Sequence, residues 1–142
     1  MAFSLGVGLP GTKDCASVHQ NMRENEYIDR LQSYVREHQH GCKDAVWLVE
    51  EALLAYPSSA RICLFHGMVM MASLEEDSEL EAKAVRSMEK AIELDPSLAD
   101  AHEHLGHYYD GIKDNSKKAI EHYRRAAQLR GEPNFSDSAK IV

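Results

Sequence analysis

The chain has few cysteines, few aromatic residues and fewer basic than acidic side chains. Three cysteines, Cys15, Cys42 and Cys63, give an odd number without a CxxC pair, which argues against a disulfide framework or a zinc site. We therefore expect a reducing, cytoplasmic location. The 44% hydrophobic and 27% charged fractions argue against a disordered or fibrous protein. At 142 residues, the chain has room for one core of its own.

Long apolar segments and a positive net charge are also missing. The longest apolar run, residues 62–72, is far shorter than the ~20 residues of a membrane-spanning helix. The first residues lack a basic stretch and are interrupted by Gly6, Gly8 and Pro10, so they do not resemble a signal peptide. The net charge of −7 removes the general attraction to nucleic acids and anionic membranes. We expect neither as a partner.

Helical periodicity dominates what is present. Apolar residues recur at spacings of three and four along residues 21–130, whereas period-two alternation is almost absent. This predicts an all-α fold with six helices, near residues 21–38, 44–55, 59–74, 79–94, 98–111 and 116–130. Three capping boxes are predicted at helix starts: Asn21 with Glu24, Ser78 with Glu81, and Ser97 with Asp100. Residues 1–20 and 131–142 are predicted to be flexible tails of one domain, residues 21–130.

Part of the helical pattern is repeated along the chain. Ala45, Ala84 and Ala119 stand at corresponding positions, 39 and then 35 residues apart. The same intervals relate other positions: Val49, Met88 and Tyr123 are large, Ala52, Ala91 and Ala126 are small, and Gly67 matches Gly106. Small residues of this kind allow two helices to approach closely, and large ones fill the adjacent space. The repetition therefore predicts three stacked helix pairs.

These residues resemble the tetratricopeptide repeat family, whose unit of about 34 residues carries W-x₂-L-G-x₂-Y, then A-x₃-F and a final proline. The third unit fits best, with Leu105, Gly106 and Tyr109. The first fits least, because Gln32 stands where the small residue belongs. The second has an extended turn with five acids between residues 75 and 81. The resemblance covers residues 21–130 and implies a short right-handed α-solenoid of three antiparallel helix pairs.

The resemblance also implies a concave binding face, formed by the first helix of each pair. Its inward positions have an apolar, methionine-containing centre flanked by acids, which suits a peptide or partner helix with apolar and basic residues. The family's clamp for a C-terminal carboxylate is not expected, since its lysines and asparagines are missing. The predicted partner-binding residues are Arg36, Arg61, Leu64, Met68, Met71, Asp100, Glu103, His107 and Asp110, beside Glu26, Asp29 and Ser33.

A second surface is predicted at Trp47 and Leu54, which lie seven residues apart at positions that usually face outward. Four alternatives remain open for it: the N-terminal segment, a second protomer, a different protein, or simple packing on the first helix. Residues 75–110 carry a net charge of −8 and residues 111–130 a net charge of +4, so head-to-tail pairing of copies is possible. A self-assembling structural or chaperone-like protein, such as a homodimer, is therefore the second hypothesis.

Three candidate catalytic or cofactor motifs are present only in part. The GVGLPG segment, residues 6–11, matches G-x-G-x-x-G, but no strand precedes it. The zincin pattern H-E-x-x-H starts at His102 and fails at Gly106. Asp100, Glu103 and His107 share a helix face, so a weak metal-dependent enzyme at the last two is the third and least favoured hypothesis. We expect a non-catalytic adaptor or scaffold without catalytic residues, bound metal or cofactor.

Overall fold

The computed structural model describes residues 22–39, 41–73 and 78–132. Within these ranges the chain forms six α-helices and no strand, which confirms the predicted all-α class. The largest boundary error is at the start of the first helix, three residues later than predicted. The predicted tails lie outside the described residues, apart from Gly131 and Glu132. The helices are α1 Glu24–Arg36, α2 Lys43–Ala55, α3 Ala60–Ala72, α4 Ser78–Leu94, α5 Ala99–Gly111 and α6 Ser116–Arg130.

The helices form three consecutive pairs. Helix α3 packs closely along α4, and α5 packs closely along α6, whereas α1 and α2 make a smaller contact. Further contacts join α2 to α3, α4 to α5 and α1 to α3, so each pair lies against the next. The predicted solenoid of helix pairs is thereby confirmed for the described residues. Helix α3 is apolar on nearly all sides, as expected for the helix between two neighbours.

Two glycines allow the close pairs to form. A Cβ atom added at Gly67 would lie 2.5 Å from Met88 Cγ and 3.0 Å from the carbonyl oxygen of Ala84. At Gly106, the added atom would lie 2.6 Å from the ring of Tyr123. Both distances are too short for a real contact, because non-bonded carbons are separated by about 3.5–4.0 Å. The predicted role of these small residues in helix approach is therefore confirmed.

Polar contacts fix the pairs relative to each other. Between the first and second pairs, Ser59 Oγ donates to Glu24 Oε1 over 2.6 Å. Between the second and third pairs, Glu81 Oε1 on α4 accepts from Tyr108 Oη at 2.6 Å and lies 2.5 Å from Lys113 Nζ. Burial, together with the bond to Glu81, raises the pKa of Tyr108. The start of α4 is thus anchored to the following pair.

The helix starts correct the three predicted capping boxes. Helix α1 is preceded by Arg23, whose backbone N–H donates to Glu26 Oε2, so Arg23 rather than Asn21 is the N-cap. Helix α5 is preceded by Leu98 rather than Ser97, because the hydroxyl and N–H of Ser97 donate to Asp95 instead. Helix α4 begins at Ser78 itself, so Ser78 is its first residue rather than its N-cap, and Glu81 binds Tyr108 and Lys113. The side-chain caps that the structure gives are Ser59 on α3 and Asn115 on α6.

Candidate functional site

Helices α1, α3 and α5, the first of each pair, line one face of the molecule, which we call the inner face. It contains two adjoining depressions of about 190 and 260 Å³ that share Met68 and His104 and that we together call the inner groove. The smaller is lined by Gln32, Val35, Arg61, Leu64, Phe65, Met68, Leu98, Asp100 and His104. The larger is lined by Met68, Met71, Ala72, Met88, His104, His107, Tyr108 and Ile112.

The inner groove contains most of the residues predicted to bind a partner. Six line it directly: Arg61, Leu64, Met68, Met71, Asp100 and His107. The other three, Arg36, Glu103 and Asp110, line neither depression. Sequence reasoning missed His104, which joins the two depressions, although it lies on the same helix as the predicted residues. The binding role of all these residues stays a prediction.

Leu64 is more enclosed than a residue exposed to a ligand would be. Its side chain is 5% exposed and packs with Cys63, Ala91 and Ala101. A charge at this position would enter the packed core as well as the groove, at a cost to stability. Met68 and Met71 are half-buried: each packs against the core with part of its side chain and lines the groove with the rest.

Arg130, at the end of α6, neutralises part of the predicted acidic flank. Its Nη2 lies 2.6 Å from Asp100 Oδ1 and forms a second ion pair with Glu103 Oε2. These carboxylates raise the pKa of Arg130. His107 is engaged as well, with Nδ1 at 2.8 Å from Tyr123 Oη and Nε2 at 3.7 Å from Glu103. The spacing of the acidic residues on α5 does not reveal that Arg130, which lies on α6, pairs with them.

The histidines of the third pair lie in different surroundings. His102 Nδ1 lies 3.2 Å from His122 Nδ1, and Tyr109 stacks on the His122 ring. Burial is the main cause that lowers the pKa of both. His102 therefore packs between the two helices of the third pair. Within the described residues, no group of three or more His, Cys, Asp or Glu side chains is arranged to hold a metal ion.

The opposite, outer side of the molecule exposes the second predicted surface. Trp47 is 39% exposed and Leu54 is 86% exposed, and both lie on α2. The use of this surface for a contact remains a prediction. Beside Leu54 is an outer depression of about 270 Å³, lined by Glu50, Leu53, Leu54, His66 and Lys83. His66 was not predicted as a functional residue, although it stands where the first and third units have Leu31 and Leu105.

The described helices differ from membrane-spanning segments in length and apolarity. None of them is both long and apolar enough to cross a bilayer.

Cys63, on α3, is buried, and burial raises the pKa of its thiol, which disfavours the reactive thiolate.

Comparison with known proteins gives both sequence and structural relatives. Residues 65–98 match a tetratricopeptide repeat family model. Tetratricopeptide repeat protein 37 of Xenopus laevis is 24% identical over 123 residues, covering 87% of this chain and 8% of that protein. The structure described as MamA 41-end from Desulfovibrio magneticus RS-1 is 28% identical, with a TM-score of 0.59, over 74% of this chain and 55% of that one. A crystal structure of MamA is 21% identical, with a TM-score of 0.64, over 84% and 64% of the two chains. The chain thus spans less than two thirds of each of these relatives.

Proposed function

We propose that this chain, which belongs to the tetratricopeptide repeat family, is a non-catalytic interaction module that holds a peptide or partner helix in its inner groove. The observation that carries the proposal is that the two depressions of the inner groove adjoin at Met68 and His104. Adjoining depressions along the first helices of all pairs suit an elongated ligand, as in other helix-in-groove complexes. An adaptor or scaffold needs no more than this.

The side chains of the groove favour a partner with apolar residues. Met68 and Met71 line the larger depression with partly exposed side chains, and Ile112, also in its lining, is 46% exposed. Methionine is flexible and polarizable, so this lining adapts to differently shaped apolar side chains. We therefore expect recognition to tolerate exchange among Leu, Ile, Met and Phe in the partner.

The polar flank favours basic residues in the same partner. Asp100 and Glu103 already hold the guanidinium of Arg130, which is an example of the interaction that we propose. Asp110 is exposed on the same helix. A basic ligand residue beside this flank meets complementary charge, whereas an acidic one is repelled. The preferred ligand is thus an amphipathic segment with both apolar and basic positions.

Two substitutions in the groove and one outside it test the proposal. Met68→Glu and Met71→Glu place a charge on the ligand-facing apolar surface, while Leu54→Glu makes the same kind of change on the outer side. Binding of labelled helical peptides, one set with Leu and Lys and a matched set with Leu and Glu, is measured by fluorescence anisotropy. We expect a loss of at least about tenfold for the groove variants with the Leu/Lys peptides, which corresponds to roughly 1.4 kcal/mol.

The same measurement contains the opposing outcomes. Equal binding by wild type and both groove variants, or a preference for the Leu/Glu peptides, would contradict the proposed site. Circular dichroism spectra of the variants show whether the helices are retained. Leu54→Glu should bind the peptides as the wild type does.

Self-assembly is the second candidate function, and the 86% exposure of Leu54 is the observation that favours it. An apolar side chain on the outer side is available to a second copy of the chain. Sedimentation velocity over a wide concentration range measures this directly. A monomer at high concentration argues against self-assembly, and a dimer that Leu54→Glu dissociates supports it.

A further inference from the structure

The second pair departs from the repeat at two core positions that face each other. The first pair has Leu31 and Leu48 at these positions, and both are buried. The second pair has His66 and Ser87 there instead. His66 is only 2% exposed and is the buried polar residue among the described side chains. Burying an imidazole where the fold accepts leucine is unfavourable unless its nitrogens are satisfied.

Only one nitrogen of His66 has a partner among the described residues. His66 Nδ1 lies 2.7 Å from Ser87 Oγ, and the structure gives the Ser87 hydroxyl no other acceptor. The Ser87 hydroxyl therefore donates its proton to His66 Nδ1. The ring proton of a neutral histidine is then on Nε2, which becomes a donor.

The side chain that carries this second nitrogen lines the outer depression. His66 lines the depression together with Leu53 and Leu54, while its Nδ1 is turned to Ser87 on α4. The Nε2 atom is not among the fully buried atoms that lack a partner. The small exposed part of the His66 side chain is therefore assigned to Nε2, the donor without a partner among the described residues. The depression has an N–H group at its base and leucine side chains on its wall.

A cation lies at the mouth of the same depression. Lys83 Nζ is 3.3 Å from Glu50 Oε1, and both residues line the opening. Burial first, and then the positive charge of Lys83, lower the pKa of His66, which keeps the imidazole neutral. The exposed ion pair is weak, because water and salt screen it. A second carboxylate can therefore compete with Glu50 for the ammonium group.

We propose that the outer depression binds a carboxylate that carries a compact apolar body. The carboxylate accepts from His66 Nε2 and pairs with Lys83, and the apolar body contacts Leu53 and Leu54. The N–H donor of His66 and the ammonium group of Lys83 together favour a carboxylate over an amine. The leucines disfavour a fully polar acid such as citrate. This site lies outside the inner groove and does not depend on the function proposed for that groove.

Small probes test the chemistry directly. 4-Methylpentanoate represents a free acid, and acetyl-Gly-Gly-Leu with a free carboxylate represents the end of a protein chain. Each is titrated against its amide by NMR, with the ¹⁵N signals of His66 as the readout. We expect dissociation constants of about 1–10 mM for the smaller probe, and binding of its amide that is weaker by at least about fivefold. The tighter of the two carboxylates identifies the source.

Variants connect the binding to the named residues. Lys83→Gln should weaken the carboxylate by roughly two- to fivefold, and Glu50→Gln should strengthen it by a similar factor, because a competitor is removed. His66→Leu with Ser87→Leu restores the leucine pair of the first unit and should abolish binding while the fold is kept. Lys117→Gln, which removes an exposed cation of α6 outside the depression, should leave binding unchanged.

The proposal is overturned if the amides bind as tightly as the carboxylates, or if no probe shifts the His66 signals at about 50 mM, roughly fivefold above the weakest expected constant. It is also overturned if both Lys83→Gln and Glu50→Gln bind like the wild type. These two surface variants keep the test decisive even where the double leucine variant does not fold. A failure of peptide binding in the groove variants would leave these results unaffected.

Discussion

The first helix pair and the two later pairs are built from one repeat but are held together differently. In the later pairs, Gly67 and Gly106 let the second helix approach so closely that a single added carbon would overlap it. In the first pair the corresponding residue is Gln32, which is exposed, and α1 and α2 make a smaller contact. One side chain per unit therefore sets how closely the two helices pack.

The first pair compensates with polar and aromatic contacts at one end. Tyr56 Oη donates to the carbonyl oxygen of Met22 over 3.1 Å, and its ring lies edge-on to Tyr27. Ser59 adds its hydrogen bond to Glu24. These contacts join the start of α1 to the turn after α2. They fix the position of α1 without requiring close approach along its length.

The largest expected effect is a side chain introduced at a close contact. Gly67→Val should lower the free energy of unfolding by about 3 kcal/mol, because the new atoms meet Met88 and the backbone of Ala84. Gln32→Ala, at the corresponding place in the first pair, should change it by less than about 0.5 kcal/mol. Urea unfolding followed by circular dichroism measures both. Equal effects at the two positions would remove the distinction between the pairs.

A smaller effect is expected in the third pair. Gly106→Ala should cost about 1 kcal/mol. The added Cβ meets the ring of Tyr123, which can turn aside, and the higher helix propensity of alanine offsets part of the overpacking cost. Combining it with Tyr123→Leu should recover most of the loss. A loss as large as that of Gly67→Val would show that the Tyr123 ring is fixed.

Helix capping provides a third comparison. Asn115 Oδ1 accepts from the N–H of Lys118 at the start of α6, whereas Cys42 makes no side-chain bond at the start of α2. Asn115→Ala should therefore cost about 1 kcal/mol, and Cys42→Ser should stabilise by roughly 0.5 kcal/mol. Thermal unfolding of the two variants is compared. If Cys42→Ser destabilises the protein, the thiol has a packing role that outweighs the missing cap.

The smallest effect is expected from acidification. Burial lowers the pKa of His66, His102 and His122, all of which lie in the later pairs. Unfolded histidine titrates near pH ~6.5, so below this pH the unfolded chain binds more protons than the folded one. The free energy of unfolding should fall as the pH is lowered from 6.5 through the folded-state pKa values.

Urea unfolding at several pH values between about 7.5 and 5.5, across the titration of free histidine, tests this dependence. His66→Leu should flatten it, because it removes one of the three histidines named above. An unchanged slope in His66→Leu would contradict the part assigned to His66.

The helices and their pairing were predictable because the pattern is local and repeated. The recurring alanines and the two glycines place small residues against large ones, and this regularity survives without any knowledge of contacts between distant residues. The helix starts were less predictable. Ser97 has the spacing of a capping residue, but its hydroxyl binds Asp95, and sequence alone does not decide between two nearby acceptors.

The inner groove was predictable in outline and not in its charge. Helical spacing put Met68 and Met71 on one face, because neighbours at three and four residues share a side. It could not show that Arg130 reaches Asp100 and Glu103, since that contact joins the two helices of the third pair across 30 and 27 residues of sequence. His66 was hidden for another reason. Its position is recognised as unusual only after it is aligned with Leu31 and Leu105 as a core position.

The anchoring of Glu81 by Tyr108 and Lys113 has a consequence for how the chain tolerates change in length. Because α4 takes its starting position from the pair that follows it, the connection between Ala72 and Ser78 need not define that position. Extra residues introduced there should leave the inner groove intact. The connection is thus a suitable place for a fluorescent label or an affinity tag, and a place where related proteins can diverge freely.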